Sequence, residues 1–141
     1  MAVEENAEVL RRVIEEGFNK GNYDALDALF DPNYQEHQFG LKPTLPGLKG
    51  DIQLLRTAFP DLHLAIEDMV AEGDKVWIRM TARGTNHGPF MGQPTHKPMT
   101  ITVFDICRFE NGKIVEHWGV PDRFAVMAQL GLLPQPSGQT T

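Results

Sequence analysis

The stretch Thr100-Ile-Thr-Val-Phe-Asp-Ile-Cys-Arg-Phe-Glu-Asn-Gly-Lys-Ile-Val-Glu-His-Trp-Gly-Val-Pro-Asp122 decides how the rest of the chain is read. Two runs rich in Ile, Val, Phe and Trp flank Glu110-Asn111-Gly112-Lys113. Asn-Gly supplies the positive-φ residues of a tight turn, so the spacing predicts an antiparallel hairpin running into a helix. The turn type fixes which side chains share a face. A type I turn with Gly112 in a bulge sets Phe109 opposite Lys113 and Asp105 opposite His117. One surface is then lined by Val103, Asp105, Cys107, Val115, His117 and Gly119. A plain two-residue turn shifts the pairing by one and separates them. The loop Glu110-Asn111-Gly112 favours the bulged form, which places a carboxylate beside an imidazole on otherwise apolar strands.

Outward from the hairpin, two periods divide the chain. From Glu4 to Lys20, Ala7, Leu10, Val13, Ile14, Gly17 and Phe18 recur at helical spacing, and Gly21 ends the element. A short helix is predicted from about Asp24 to Phe30, stopped by Pro32. Tyr34 to Phe39 reads as a short strand or extended segment at a rim, and a third helix runs from about Leu48 to Phe59, closed by Pro60. From Leu62 the period becomes two. Leu62 to Val70 and Lys75 to Thr85 alternate around Glu72-Gly73-Asp74, with Val76, Ile78, Met80 and Ala82 on one face. The irregular stretch Asn86 to Lys97 has the length of loops that edge a site. A helix from about Pro121 to Leu130 ends at Gly131. Helices followed by antiparallel strands predict one α+β domain over residues 1–134 with its helices on one side of a curved sheet. A disordered Pro, Gly, Ser and Thr tail is predicted over 135–141.

The 141 residues suffice for one core. A net charge of −6 without any basic run argues against nucleic acid and anionic membranes as partners. The lone Cys107 excludes an intramolecular disulfide and fits a reducing cytoplasm. No stretch reads as a membrane span or a leader peptide, so a cytoplasmic protein is expected.

Asp105 lies mid-strand among residues that want burial, where a carboxylate costs several kcal/mol unless it is paired or protonated. It is the leading candidate for an acid or base, with His117 as its relay or orienting partner. The alternative is a carboxylate on the solvent face, or one bonded to Trp77, a histidine or an arginine merely to hold the sheet together. Asp122, after Pro121 at a helix start, is a third candidate, although helix capping accounts for it as well. His37, at the presumed rim, is a candidate substrate contact. Trp77, Trp118, Phe90, Met80, Met91 and Met99 could line an apolar cavity for a small-molecule substrate or simply pack the core. The five histidines show no His-Glu-x-x-His spacing, and no Gly-rich phosphate loop or Gly-x-Ser-x-Gly elbow is present, so neither a metal nor a cofactor is expected.

Phe109-Glu-Asn-Gly-Lys-Ile-Val-Glu-His-Trp-Gly-Val-Pro-Asp-Arg-Phe124, followed by Gln129-Leu-Gly131, resembles the ending of the SnoaL-like polyketide cyclase family, of the nuclear-transport-factor-like superfamily. Gly88-Pro-Phe-Met-Gly-Gln-Pro94 resembles that family's loop between long strands. Phe18-Asn-Lys-Gly-Asn22 and Asp31-Pro-Asn-Tyr34 resemble its opening. The resemblance implies a cone in which the sheet wraps around the long first helix and leaves a deep pocket. It also implies a homodimer through the open sheet face, with a tetramer as the alternative, and cofactor-free aldol cyclisation of a polyketide-like ester. At the position of those cyclases' catalytic aspartate this chain has Gly119, and at the position of a pocket histidine it has Asp105. Asp105 would then act from the neighbouring strand, with Gly119 on the same face beside the substrate. Ketosteroid-isomerase-like or hydrolase chemistry, or a binding domain without turnover, are the other readings.

Overall fold

A computed structural model describes residues 2–134; the tail expected over 135–141 lies outside the described residues. Helix α1 (Ala2–Arg12) carries Glu4 and Glu5 in its first turn and Arg11 and Arg12 in its last, as the helix dipole favours. It continues as wider π turns over Val13–Asn19. Gly17 lies where Leu26 crosses the helix, and a Cβ there would meet Leu26 Cδ2 at 3.1 Å. Gly21, at φ 71°, ends the element.

Strand β1 (Phe30–Glu36), helix α2 (Leu45–Ala58) and strands β2 (His63–Glu72), β3 (Lys75–Thr85), β4 (Pro98–Glu110) and β5 (Lys113–Pro121) follow, then helix α3 (Arg123–Gln129). The strands form one curved, unclosed sheet in the order β1-β5-β4-β3-β2, antiparallel except where β1 runs parallel to β5. Its inner face packs on the helices through a core that includes Leu10, Ile14, Ile52, Val76, Met80 and Ile114. The α+β class and the alternation of Val76, Ile78, Met80 and Ala82 agree with the sequence reading; all four are buried. No helix among the described residues is long and apolar enough to cross a membrane.

Four local expectations are corrected. The predicted second helix is a 3-10 turn over Tyr23–Ala28, and Phe30 instead opens β1 opposite Ile114, where both side chains are buried. The rim stretch is a strand at the sheet edge, as one of its two readings had it, but it begins earlier, at Phe30, ends at Glu36, and buries Tyr34 in the core. Helix α2 starts earlier than Leu48 because Thr44 Oγ1 accepts the Gly47 N–H at 3.1 Å, an N-cap followed by Pro46 in the first turn. In β2, Ile66 pairs with Met80 but Asp68 with Arg79, so a bulge at Glu67 turns Asp68 and Val70 to the outer face.

The fourth correction concerns the hairpin. Asn111 and Gly112 both have positive φ, 52° and 75°, the signature of a two-residue type I′ turn. Phe109 therefore faces Ile114, not Lys113. The extra residue enters further along, at Val115, because Arg108 pairs with Glu116. Asp105 consequently lies opposite Gly119 and His117 opposite Cys107. Turn and bulge together shift the pairing by an even number of residues relative to the expected register, so Asp105, His117 and Gly119 still share the inner face.

Candidate active site

The parallel pairing of β1 and β5 sets Glu36 beside His117, and the antiparallel pairing of β5 and β4 sets Asp105 diagonally across from it. His117 is held at both ring nitrogens. Its Nδ1 is 2.5 Å from Glu36 Oε2 and its Nε2 3.2 Å from Asp105 Oδ2. The Tyr34 hydroxyl donates to Glu36 Oε1 at 3.2 Å, and the Gln38 backbone N–H donates to Glu36 Oε2 at 3.0 Å. The Glu36 side chain is 1% exposed and those of Asp105 and His117 about a tenth, so the row is shielded from bulk water.

The electrostatics follow from that enclosure. Burial alone lowers the pKa of His117, but its hydrogen bonds to Asp105 and Glu36 and their charges outweigh burial and raise it to about 10. The imidazole is thus cationic at neutral pH, and an imidazolium bonded at both nitrogens has no lone pair with which to act as a base. Burial pushes the Cys107 thiol well up, helped by Asp105 and Glu36, so it stays protonated and is no nucleophile. Burial and Glu36 likewise keep Tyr34 a neutral donor. Asp105 Oδ1 is buried and, among the described residues, has no hydrogen-bond partner. It lies 2.7 Å from the point where a side chain at residue 119 would begin.

The other candidates lie elsewhere. Asp122 caps α3, its Oδ1 accepting the Ala125 N–H at 3.0 Å, and is exposed on the surface. His37 follows Glu36 but points to the opposite side of the sheet. There it stacks on Trp118 at 4.8 Å and meets Glu116 Oε2 at 2.9 Å. Trp77 and Trp118 are also on the outer face, both paired with Ile106, so the pleat separates them from the Asp105 carboxyl. They line a shallow trough of about 360 Å³ with Val70, Phe104, Ile106 and Val120. Met80 and Met99 are core residues. Phe90 packs edge-on against Phe59, and Met91 is 71% exposed. The 86–97 loop is clasped by Asn86, whose side chain bonds Gly88 O and both donors of Thr95, and lies against the end of α2. Among the described residues no cluster of three or more His, Cys, Asp or Glu side chains is arranged to hold a metal ion.

Glu36 and Gln38 were not foreseen. The alternation of Tyr34 and Glu36 in an extended segment was a faint signal, but a parallel partner 81 residues away in sequence leaves no local trace.

A curved α+β half-barrel with ionisable groups buried on its concave side defines the class. A family model described as SnoaL-like polyketide cyclase matches residues 8–130, and the chain belongs to that family. Among solved structures, IdmH from Streptomyces antibioticus, described as a candidate polyketide cyclase, is similar at 33% identity. The match covers 89% of this chain and 98% of that one with a TM-score of 0.80. TsrD from Streptomyces laurentii is similar at 27% identity over 92% and 97% of the two chains, with a TM-score of 0.83. AclR from Streptomyces galilaeus, described as a candidate hydroxylase, is similar at 27% identity over 94% and 99%, also with a TM-score of 0.83. No curated protein matches the chain.

Proposed function

We propose that this protein is a cofactor-independent acid–base enzyme in which Asp105 moves a proton next to a carbonyl of a small, largely apolar substrate. The observation that carries the reading is the free, buried Oδ1 of Asp105 beside Gly119. A carboxylate from β4 thus reaches the place where the family's cyclases are expected to present one from residue 119. His117 and Glu36 are positioning residues: the imidazolium holds Asp105 Oδ2 and turns Oδ1 toward the ligand.

In an intramolecular aldol cyclisation, Asp105 Oδ1 takes a proton from the carbon next to the ester carbonyl. The resulting enolate carbon forms a bond to a second carbonyl carbon, whose π electrons become an alkoxide. Protonated Asp105 returns its proton to that alkoxide, so the site ends as it began. The test is exchange of solvent deuterium into the acidic methylene of methyl benzoylacetate, followed by NMR. Asp105→Asn should lower the protein-dependent rate by about 10²-fold or more, within the range for a positioned acid or base. Exchange at the wild-type rate in a folded Asp105→Asn variant sinks the proposal.

The reading includes a homodimer in the cytoplasm. Val70, Trp77, Phe104 and Val120 are each more than half exposed on the outer face, a contiguous apolar area of the kind a second copy covers. A solution mass of one 15.8 kDa chain at micromolar concentration counts against it.

A further inference from the structure

Gln38 follows β1 on the same side of the sheet as Asp105, and its carboxamide reaches the space over Gly119. A Cβ built on Gly119 lies 2.0 Å from Gln38 Oε1 and 2.7 Å from Asp105 Oδ1, so the two oxygens approach one point, one from β4 and one from the segment after β1. The missing side chain of Gly119 is what admits them. The Gln38 carboxamide has no hydrogen bond of its own among the described residues, and Asp105 Oδ1 has none either. The main chain of Gln38 is nevertheless tied to the same cluster through its N–H on Glu36 Oε2 at 3.0 Å.

A carboxamide oxygen that shares its point of approach with a carboxyl oxygen suits one protonation state. If Oδ1 carries a proton, O–H donates to O=C and both groups are satisfied; if it does not, two acceptors face each other. The two ends of a carboxamide have the same shape. A half-turn about its last bond therefore places Nε2–H where the oxygen was, as a donor to the carboxylate. A group that gives and takes a proton needs a partner for each form, and a buried acceptor left alone is costly.

We propose that Gln38 is the positioning residue for Asp105 in both of its protonation states, accepting from the carboxylic acid and, after rotation of its carboxamide, donating to the carboxylate. The inference rests on the reading of Asp105 as the acid–base group, but its test does not. The other titratable groups facing Asp105 are His117 from β5, Cys107 on its own strand, and Glu36 with Tyr34 from β1 behind the imidazole. All four are retained in every variant below.

The experiment is an NMR titration of the full chain with ¹³C-labelled aspartate carboxyls, following Asp105 Cγ from pH 3 to 8, alongside the side-chain amide signals of Gln38. In the wild type the Gln38 amide signals should move with the same midpoint as Asp105 Cγ. Gln38→Met keeps the length and removes both partners. The ionised form loses the stronger bond, so the Asp105 midpoint should rise by about one pH unit. Gly119→Ala, which pushes the carboxamide off the same point, should raise it in the same direction. An unchanged Asp105 midpoint in both variants, or Gln38 amide signals indifferent to that titration, overturns the proposal. The deuterium-exchange assay separates the two readings. A raised midpoint in Gln38→Met together with full exchange by Asp105→Asn keeps Gln38 and discards acid–base catalysis. An unmoved midpoint with inactive Asp105→Asn does the reverse.

Discussion

Raising the pH should destabilise this fold through a single imidazole. His117 is lifted from an ordinary histidine value of 6.5 to about 10. Each pH unit by which a folded-state pKa is raised corresponds to about 1.4 kcal/mol, so the coupling is on the order of 5 kcal/mol, a large part of the roughly 5–15 kcal/mol that holds a domain of this size together. The sign follows from proton counting. Between pH 6.5 and 10 the folded chain keeps a proton that the unfolded chain has released, so stability falls as pH rises. The contribution is complete below pH 6.5, declines by at most about 1.4 kcal/mol per pH unit, and is gone above pH 10. Urea unfolding of the wild type from about pH 6 to about pH 10.5 should show this decline. His117→Gln should start less stable by about 3 kcal/mol or more, because two buried carboxylates lose their cation, and should lose less stability across the same interval. Cys107 and Tyr34 also resist ionisation in the fold, but they do so in both proteins and largely cancel in the difference. A direct check is the imidazole Cε1–H resonance of His117. Titration of that signal near 6.5, or parallel pH profiles for wild type and His117→Gln, refutes the doubly held imidazolium.

What the sequence disclosed and what it hid divide along the distance over which each feature is decided. Turn residues, helical spacing and the period of two are local, and they located α1, α2, α3, the hairpins and the α+β class, while the second predicted helix is a 3-10 turn. The inner face of β3 was legible because four apolar side chains alternate without interruption. The pairing of Asp105 with His117 was also legible, but through a turn that does not exist. A two-residue turn alone would have set His117 opposite Ile106 on the outer face, and the bulge at Val115 brings it back. Nothing in Lys113-Ile-Val-Glu-His announces that bulge, since an extra residue in a strand is fixed by what the neighbouring strands must bury. Glu36 and Gln38 were hidden for a related reason: the partner that makes them interesting arrives by a parallel pairing at the far end of the chain. For the tryptophans and His37 the residue type says that a side chain wants a partner, and not which side of a pleated sheet it occupies.

Three further substitutions separate packing from exposure. Trp77→Arg places a charge in the middle of the outer trough, where the wild-type ring is 54% exposed and makes few demands on the isolated fold. It should convert a dimer into a monomer with little change in the unfolding midpoint of the dilute protein, as sedimentation and urea titration would show; an unaltered mass removes the outer face as the interface. Gly88→Ala acts through the opposite principle. Gly88 lies against the end of α2, where its N–H reaches Ala58 O at 3.1 Å and a Cβ would stand 2.1 Å from Thr57 O. That neighbour is main chain and cannot turn aside, so loop and helix must part, at a cost of about 3 kcal/mol, the upper range for overpacking. Gly50→Ala is its control, inside α2 with nothing within 4 Å of the added carbon. It should raise stability by about 0.5–1 kcal/mol, because a helical glycine gives up more backbone freedom than alanine does. Opposite signs of change at these two glycines, read from urea unfolding, are what the close approach at Gly88 demands, and a neutral Gly88→Ala would mean that the loop is not seated on α2 as described.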